Sequence, residues 1–285
     1  MNPYHGLVAQ YARLARESQF YSQGKFPPAF RPAFAADAPK ALFFAPHPDD
    51  ETIIGGLALR LMREARMKVI NVAVTQGSKK ERQSERLSEL RKACDYIGFE
   101  LITTGVNGLE GVNRQTRERD TKQWASNVNI ILDILEANKP RVIFFPHEHD
   151  WNSTHIGTHF LVMDALAKLP AEFKCFLVET EYWGQMTQPN LMAEISPTDL
   201  SDLICATTFH VGEVNRNPFH LLMPAWMMDN VRRGSELVGG QGEAAPHFTF
   251  AALYRLRQWR KGKVSEVLTH GRNLPSTVNA SELFR

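Results

Sequence analysis

From residue 41 onward, apolar runs of strand length alternate with longer segments whose apolar residues recur at helical spacing, and this alternation restricts the fold more than any other feature. Ala41-Leu42-Phe43-Phe44-Ala45 has no polar interruption, as a strand buried on both faces requires. Ile53, Ile54, Leu57, Ala58, Leu61 and Met62 then recur at the helical period. Residues 69–74 give a second strand, ended by Thr75-Gln76-Gly77-Ser78. Leu87, Leu90, Cys94 and Ile97 line a second helix, with Gly98 placed to cap its C-terminus. Residues 101–104, 142–145 and 176–178 read as further strands, with helices over 128–137 and 160–169 between them. Strands joined by helices of this length need right-handed crossovers. The expected fold is α/β: a Rossmann-like three-layer arrangement with a mainly parallel sheet and a C-terminal cap region.

The flanks are less regular. Residues 4–17 put Leu7, Val8, Tyr11 and Leu14 on one face of a short amphipathic helix. Four prolines between 26 and 39 make the next stretch an extended arm. After residue 180 the periodicity fades among aromatics, prolines and glycines, as in Glu181-Tyr182-Trp183 and Gly239-Gly240-Gln241-Gly242. No linker rich in Gly, Ser or charge divides the chain. A single domain over 1–285 is expected, with a helix and arm over 1–39, the core over 40–180 and a cap or wall over 181–285.

A hydrophobic content of 43% over 285 residues allows a substantial core. The 33 basic and 31 acidic residues leave a net charge of +2, which is no electrostatic footprint for nucleic acid. No apolar run reaches the roughly 18 residues of a membrane span. His5, Arg13, Arg16 and Glu17 interrupt the apolar core that a signal peptide needs. Cys94, Cys175 and Cys205 are few, odd in number and far apart, and read as reduced core residues of a cytoplasmic protein. A homo-oligomer is compatible with this composition.

In parallel sheets, ligands bind beyond the carboxyl ends of the strands, and two such ends here carry metal-ligating residue types. The first run leads into His47-Pro48-Asp49-Asp50-Glu51, with Pro46 and Pro48 holding the backbone around the histidine extended. His47 and Asp50 are spaced to converge on one divalent ion, leaving Asp49 beside it as an unligated carboxylate. The fourth strand leads into Pro146-His147-Glu148-His149-Asp150 and a helix that opens at Trp151-Asn152-Ser153-Thr154-His155. Helix capping accounts for some of Asp150, Asn152, Ser153 and Thr154. It does not account for His155 and His159, four apart on one face. His155, nearer the strand end, is the better third ligand, and His159 lies a turn deeper, where it packs or supports.

Two histidines and an aspartate around zinc leave positions for water and a substrate oxygen. The expected cofactor is one zinc ion per chain, with iron as an alternative occupant in the cell. Asp49 can take a proton from water and deliver it to a leaving amine, and a nearby cation would hold its carboxyl in the low, ionised range. The reaction class is hydrolysis of an amide or ester without a covalent intermediate. Glu51 is left to hold a ligand or the helix terminus.

The segment Ala45-Pro46-His47-Pro48-Asp49-Asp50-Glu51, followed by Gly55-Gly56, resembles the signature of the LmbE-like (PIG-L) zinc-dependent N-acetylglucosaminyl deacetylases. The resemblance continues through Thr75-Gln76-Gly77, Arg86-Leu87-Ser88-Glu89-Leu90 and residues 150–155. It implies a Rossmann-like fold, zinc held by His47, Asp50 and His155, Asp49 as general base and a substrate contact from Arg86. At Asn152 the sequence departs from the family, which has a histidine there that steadies the oxyanion. An asparagine amide can donate a hydrogen bond to an oxyanion, but it carries no charge. The family's C-terminal histidine segment has no good match, and His147, His149, His210 and His220 are unranked candidates for the missing charge.

The leading expectation is a zinc-dependent hydrolase that removes the acetyl group from an N-acetylated amino sugar or its conjugate. Its partner is then a small molecule, with no nucleic acid and no membrane span. An amidase acting on a non-sugar acylated amine keeps the metal and changes the substrate. A nucleotide-binding or redox protein needs the Gly-x-Gly-x-x-Gly that no strand end here carries, and a non-catalytic binding module has no use for Asp49. Trp151, Tyr182, Trp183, Trp226 and Phe248 are candidates for a sugar-stacking wall, although core packing is the commoner role of large aromatics. Arg232-Arg233 either meets an anionic group or lies on a solvated face, and Lys79-Lys80-Glu81-Arg82 reads as an exposed helix start.

Overall fold

A computed structural model describes residues 2–284. Helix α1 (Tyr4–Glu17) opens the chain, and the arm after it leads into β1 (Lys40–Ala45). Next come α2 (Asp50–Ile53), α3 (Gly56–Ala65), β2 (Lys68–Ala73), α4 (Gln83–Ile97), β3 (Glu100–Thr103), α5 (Arg114–Arg119) and α6 (Thr121–Asn138). They are followed by β4 (Val142–Pro146), α7 (Ser153–Leu166), β5 (Cys175–Thr180), β6 (Leu191–Glu194), α8 (Pro197–Thr207), α9 (Val211–Arg216) and α10 (Met223–Leu237). β7 (Ala251–Arg260), β8 (Lys263–Glu266) and β9 (Arg272–Leu274) complete the sheet.

The strands run in the order β3-β2-β1-β4-β5-β7-β6-β9, with β8 paired to β7. β1 to β5 are mutually parallel, so the core is the expected mainly parallel α/β sheet. Leu42 is in register with Ile70 on one side and Ile143 on the other. The connections therefore reverse direction between β1 and β4, and a crevice opens where they part. The segments after Ala45 and after Pro146 leave the sheet side by side at that point.

Alternate residues of β1 enter opposite layers. Phe43 and Ala45 pack with Leu57, Leu61, Leu90 and Leu203 from α3, α4 and α8. Leu42 and Phe44 pack with Trp124, Ile131 and Leu161 from α6 and α7. Each buried Leu or Phe contributes about 1.5–3 kcal/mol, so two covered faces demand the uninterrupted apolar runs seen in the sequence.

Three features depart from the sequence pattern. The helical period from Ile53 to Met62 is split into α2 and α3. Gly55 makes the break, since a Cβ there would lie 2.1 Å from the Glu51 carbonyl oxygen. The aperiodic segment after residue 180 contributes β6 to β9 as well as helices. Its longest strand, β7, runs antiparallel between β5 and β6 and carries arginines opposite Tyr254 and Leu256. Arg257 donates to Glu179 at 2.8 Å and Arg255 to Glu266 at 2.9 Å, so charge sits on a sheet face and masks the strand. Finally, Leu7, Val8, Tyr11 and Leu14 do share a face of α1, yet each is at least half exposed. No described helix is long and apolar enough to cross a membrane.

Arg60 of α3 ties down the C-terminal segment. Its buried guanidinium pairs with Glu64 at 2.7 Å and donates to the carbonyls of Glu194, Leu274, Pro275 and Val278. Arg60→Met is expected to lower the unfolding free energy by about 3–5 kcal/mol, because it leaves buried acceptors without a donor. Urea denaturation measures this directly, and a loss below about 1 kcal/mol, the scale of one ordinary hydrogen bond, would mean that water replaces the guanidinium.

Candidate metal centre

β1 ends where β2 turns away from it. The Val74 N–H donates to the Ala45 carbonyl, and both the N–H and the hydroxyl of Thr75 donate to the Pro46 carbonyl, the hydroxyl at 2.7 Å. Beyond that clamp the chain turns at once. The His47 N–H donates to Asp50 Oδ2 at 2.9 Å, and Asp49 takes a φ of 115°, a conformation that is costly for a residue with a Cβ. α2 then begins and directs Asp50 back under the histidine.

Asp50 Oδ2 lies 3.4 Å from His47 Nδ1 and 3.2 Å from His155 Nε2. One donor atom from each of these residues lies within 4.8 Å of the others, so His47, Asp50 and His155 form a group that can hold a metal ion. Behind them, Asp150 Oδ2 faces His155 Nδ1 at 3.5 Å. A carboxylate there favours a proton on Nδ1 and leaves the Nε2 lone pair pointing towards Asp50. His155 Nε2 is buried and has no hydrogen-bond partner. Buried polar atoms are rarely left so, and a cation among these three side chains would satisfy it. The donor set fits a divalent ion.

The electrostatics follow from this crowding. Burial opposes charge on Asp50, but His155 and His47 beside it hold its carboxyl far below the usual range. Burial also opposes charge on His155, yet Asp50 and Asp150 raise its pKa to about 10. His47 is lowered by burial, against the pull of Asp50. Asp49 departs from the low pKa expected of it. In the metal-free protein, burial and the neighbouring Asp50 carboxylate push it well up, and His210 and Arg86 oppose them only in part.

Asn152 is the N-cap of α7. Its Oδ1 accepts from the N–H groups of Thr154 at 2.8 Å and His155 at 3.4 Å. The oxygen is thereby committed to the helix. Asn152 borders two clefts that meet at the candidate site. One, of about 410 Å³, also touches His47, Asp49, Arg86, Trp151 and Trp183. The other, of about 510 Å³, runs past Thr75 and Ser78 to Glu110 and Asn113. Arg86 donates to the Pro48 carbonyl at 3.1 Å. Gly77, at φ 84°, makes room for it, since a Cβ there would lie 2.1 Å from Arg86 Nη1.

Several side chains have duties that the sequence did not reveal. Asp150 stands behind His155, and its other oxygen accepts the Asn152 N–H at 2.8 Å. Lys79 and Arg82 line the smaller cleft beside Glu213 and Arg216 and are not merely an exposed helix start. Arg233 is buried on Glu181 at 2.6 Å, while Arg232 pairs with Asp229 on the surface. Of the aromatic candidates, Trp151 and Trp183 reach the cleft. Tyr182 and Trp226 pack edge to face behind Trp183, and Phe248 packs against the Met192 cluster. His159 lies outside the metal group, with Nδ1 on the Pro146 carbonyl at 3.0 Å and its pKa pushed down to about 4 by burial. His147 Nε2 is 2.8 Å from the Gly184 carbonyl, His149 is exposed and His220 is buried. His210 alone reaches the strap after β1, through Glu51.

Residues 42–166 match the family described as PIG-L: GlcNAc-PI de-N-acetylase. The matched part of the chain holds both strand ends and all three candidate ligands. The structure is similar to N,N'-diacetylchitobiose deacetylase from Pyrococcus horikoshii, at 18% identity and a TM-score of 0.52 over 90% of this chain and 93% of that one. It is similar to a zinc-inhibited form of teicoplanin deacetylase, at 13% identity and a TM-score of 0.55 over 78% and 98%. It is equally similar to the 4-carboxy-2-hydroxymuconate hydratase of Pseudomonas putida, at 13% identity and a TM-score of 0.56 over 81% and 100%. At such identities the likeness is one of fold. No curated protein matches the sequence.

The raised His155 pKa ties stability to pH in the metal-free protein. A native-state value of about 10, against an ordinary 6.5, means that the folded state holds this proton more tightly. That contribution is complete below pH 6.5 and is lost as pH rises through about 10. The melting temperature of chelator-treated protein is expected to fall across this window. A bound divalent ion takes the proton's place on the imidazole and should remove the fall. The same pH dependence with and without metal would argue against this group as the binding site.

Proposed function

We propose that the protein is a metal-dependent N-deacetylase acting on an N-acetylated amino sugar or its conjugate, with zinc as its metal. The observation that carries this reading is the convergence of His47, Asp50 and His155 on one point with the buried Nε2 of His155 unpartnered. A mixed His/Asp set with an open side suits catalytic zinc. Trp151 and Trp183, both substantially exposed at the cleft, favour a sugar over an aliphatic acylated amine, because their faces are free to stack.

A divalent ion held there would polarise the scissile carbonyl and acidify water. The chain's own residues supply the rest. Asp49 reaches the same cleft beside the three ligands and is not one of them. Its carboxylate takes the water's proton and passes it to the leaving amine, and a divalent ion beside it would favour the ionised form that a base needs. Asn152, with its oxygen spent on the helix, donates its amide N–H towards the developing oxyanion. Arg86, braced on the Pro48 carbonyl and lining the same cleft, contacts substrate.

Metal analysis with a free-amine assay over a panel of N-acetyl sugars tests the proposal. About one divalent ion per chain is expected, lost in a His47→Ala, His155→Ala double variant. Full occupancy in that variant would place the metal elsewhere. Asp49→Asn should keep the metal and lose a factor of about 10² or more in kcat. Loss of metal would make Asp49 a ligand, and unchanged turnover would pass the base role to another residue. Asn152→Ala should cost about 1 kcal/mol of stability as a lost cap. It should also cost about 10² in kcat as a lost oxyanion donor, and wild-type turnover would reduce Asn152 to a cap.

A further inference from the structure

Asp49 stands at a φ of 115° although it carries a side chain. Such positions cost of order 1–3 kcal/mol and persist only where the surroundings fix them. The Asp49 carbonyl accepts from Thr52 and Ile53 in the first turn of α2, and its N–H is held by Glu51. One Glu51 oxygen accepts this N–H at 3.0 Å, and the other meets Nε2 of His210 at 2.8 Å. Glu51 and His210 are both completely buried, at 0% exposure. A carboxylate so deep in the protein needs partners for both oxygens, and these contacts provide them. The other ring nitrogen of His210 has no partner, so Glu51 is the one polar contact its side chain makes among the described residues.

His210 comes from far along the chain and immediately precedes α9. That helix is itself anchored. The Gly212 N–H donates to Glu89 of α4 at 2.9 Å, and Arg82 pairs with Glu213 at 2.9 Å. A chain of buried and partly buried contacts therefore runs from α4 and the turn before it through α9, His210 and Glu51 to the backbone of Asp49, and it bypasses His47, Asp50 and His155.

We propose that Glu51 and His210 are positioning residues, a buried pair that holds Asp49 in its strained turn and so aims its carboxylate at the reacting water. The aiming part rests on the reading of Asp49 as general base. The holding part stands on the backbone geometry alone, and the two can be separated.

The test compares His210→Ala and His210→Gln with the wild type in the full-length, zinc-loaded protein. His210→Ala is expected to keep its metal and a KM within about twofold, and to lose about tenfold to a hundredfold in kcat, the scale of a reacting group misplaced by about 1 Å. His210→Gln restores an N–H donor to Glu51 and should recover most of that loss. In crystals of His210→Ala, Asp49 is expected to leave the positive-φ region. Should the alanine variant not fold, His210→Leu fills the space without a donor and carries the same comparison. Wild-type kcat in a folded, metal-loaded variant without the donor overturns the proposal, as does an Asp49 that keeps its φ in that variant's crystals. If the wild type hydrolyses no acylated amine while Asp49 still relaxes in the variant, the holding role stands and the deacetylase reading fails.

Discussion

One oxygen of one buried carboxylate organises this molecule's chemistry. Asp50 Oδ2 accepts the backbone N–H of His47 and at the same time faces the imidazoles of His47 and His155. The two His47 contacts close the turn after β1, and the His155 contact brings α7, from the far side of the β1–β4 junction, onto that turn. A carboxylate with almost no exposure cannot keep its charge without a compensating cation. Either a protonated His155 or a metal ion must supply it. Local fold and metal affinity are thus written in the same atoms, so binding free energy at this point is also folding free energy.

The parallel sheet makes that arrangement inexpensive. Strands that are apolar on both faces end in segments with no hydrogen-bonding duty to the ladder, and those segments are free to carry polar side chains outward. The β1–β4 neighbour relation then brings two such ends together without any long loop. Stability lives in the layers around Phe43 and Phe44, whereas the strain of Asp49 and the unpartnered Nε2 of His155 are confined to the crevice. A scaffold rigid enough to tolerate both defects is what a reactive site needs.

The core strands and the His47–Glu51 cluster were legible in the sequence because both obey local rules: an uninterrupted apolar run, then ligand-type residues at a strand end. The meeting of that cluster with His155 was legible too, since sheet connectivity follows from helix-linked strands. Other features are set by partners distant in sequence, and local pattern cannot report them. Asp150 looks like a cap, and only the fold shows that it backs His155 while Asn152 does the capping. Glu51 shows its second partner only when a residue 159 positions away folds onto it. β7 hid because its arginines answer Glu179 and Glu266 across the sheet, so its alternation reads as a charged surface.

The similarity to deacetylases and to a hydratase at nearly equal TM-scores means that this fold does not choose the reaction. What does choose it must lie in side chains that the sheet merely presents. The metal group alone is not discriminating, because polarising an oxygen serves hydrolysis and hydration alike. Discrimination has to come from what stands around it: the Asp49 carboxylate on its positive-φ turn, an amide whose oxygen caps its own helix, and a cleft bordered by arginines and exposed tryptophans. Each of these is held by a contact from a different segment: the residue before α9 through Glu51, α7 through its first turn, and α10 through the packing of Trp226 on Tyr182. The region after residue 180 extends the sheet, and it also supplies His210 and Trp226, two of the contacts that hold the side chains around that crevice.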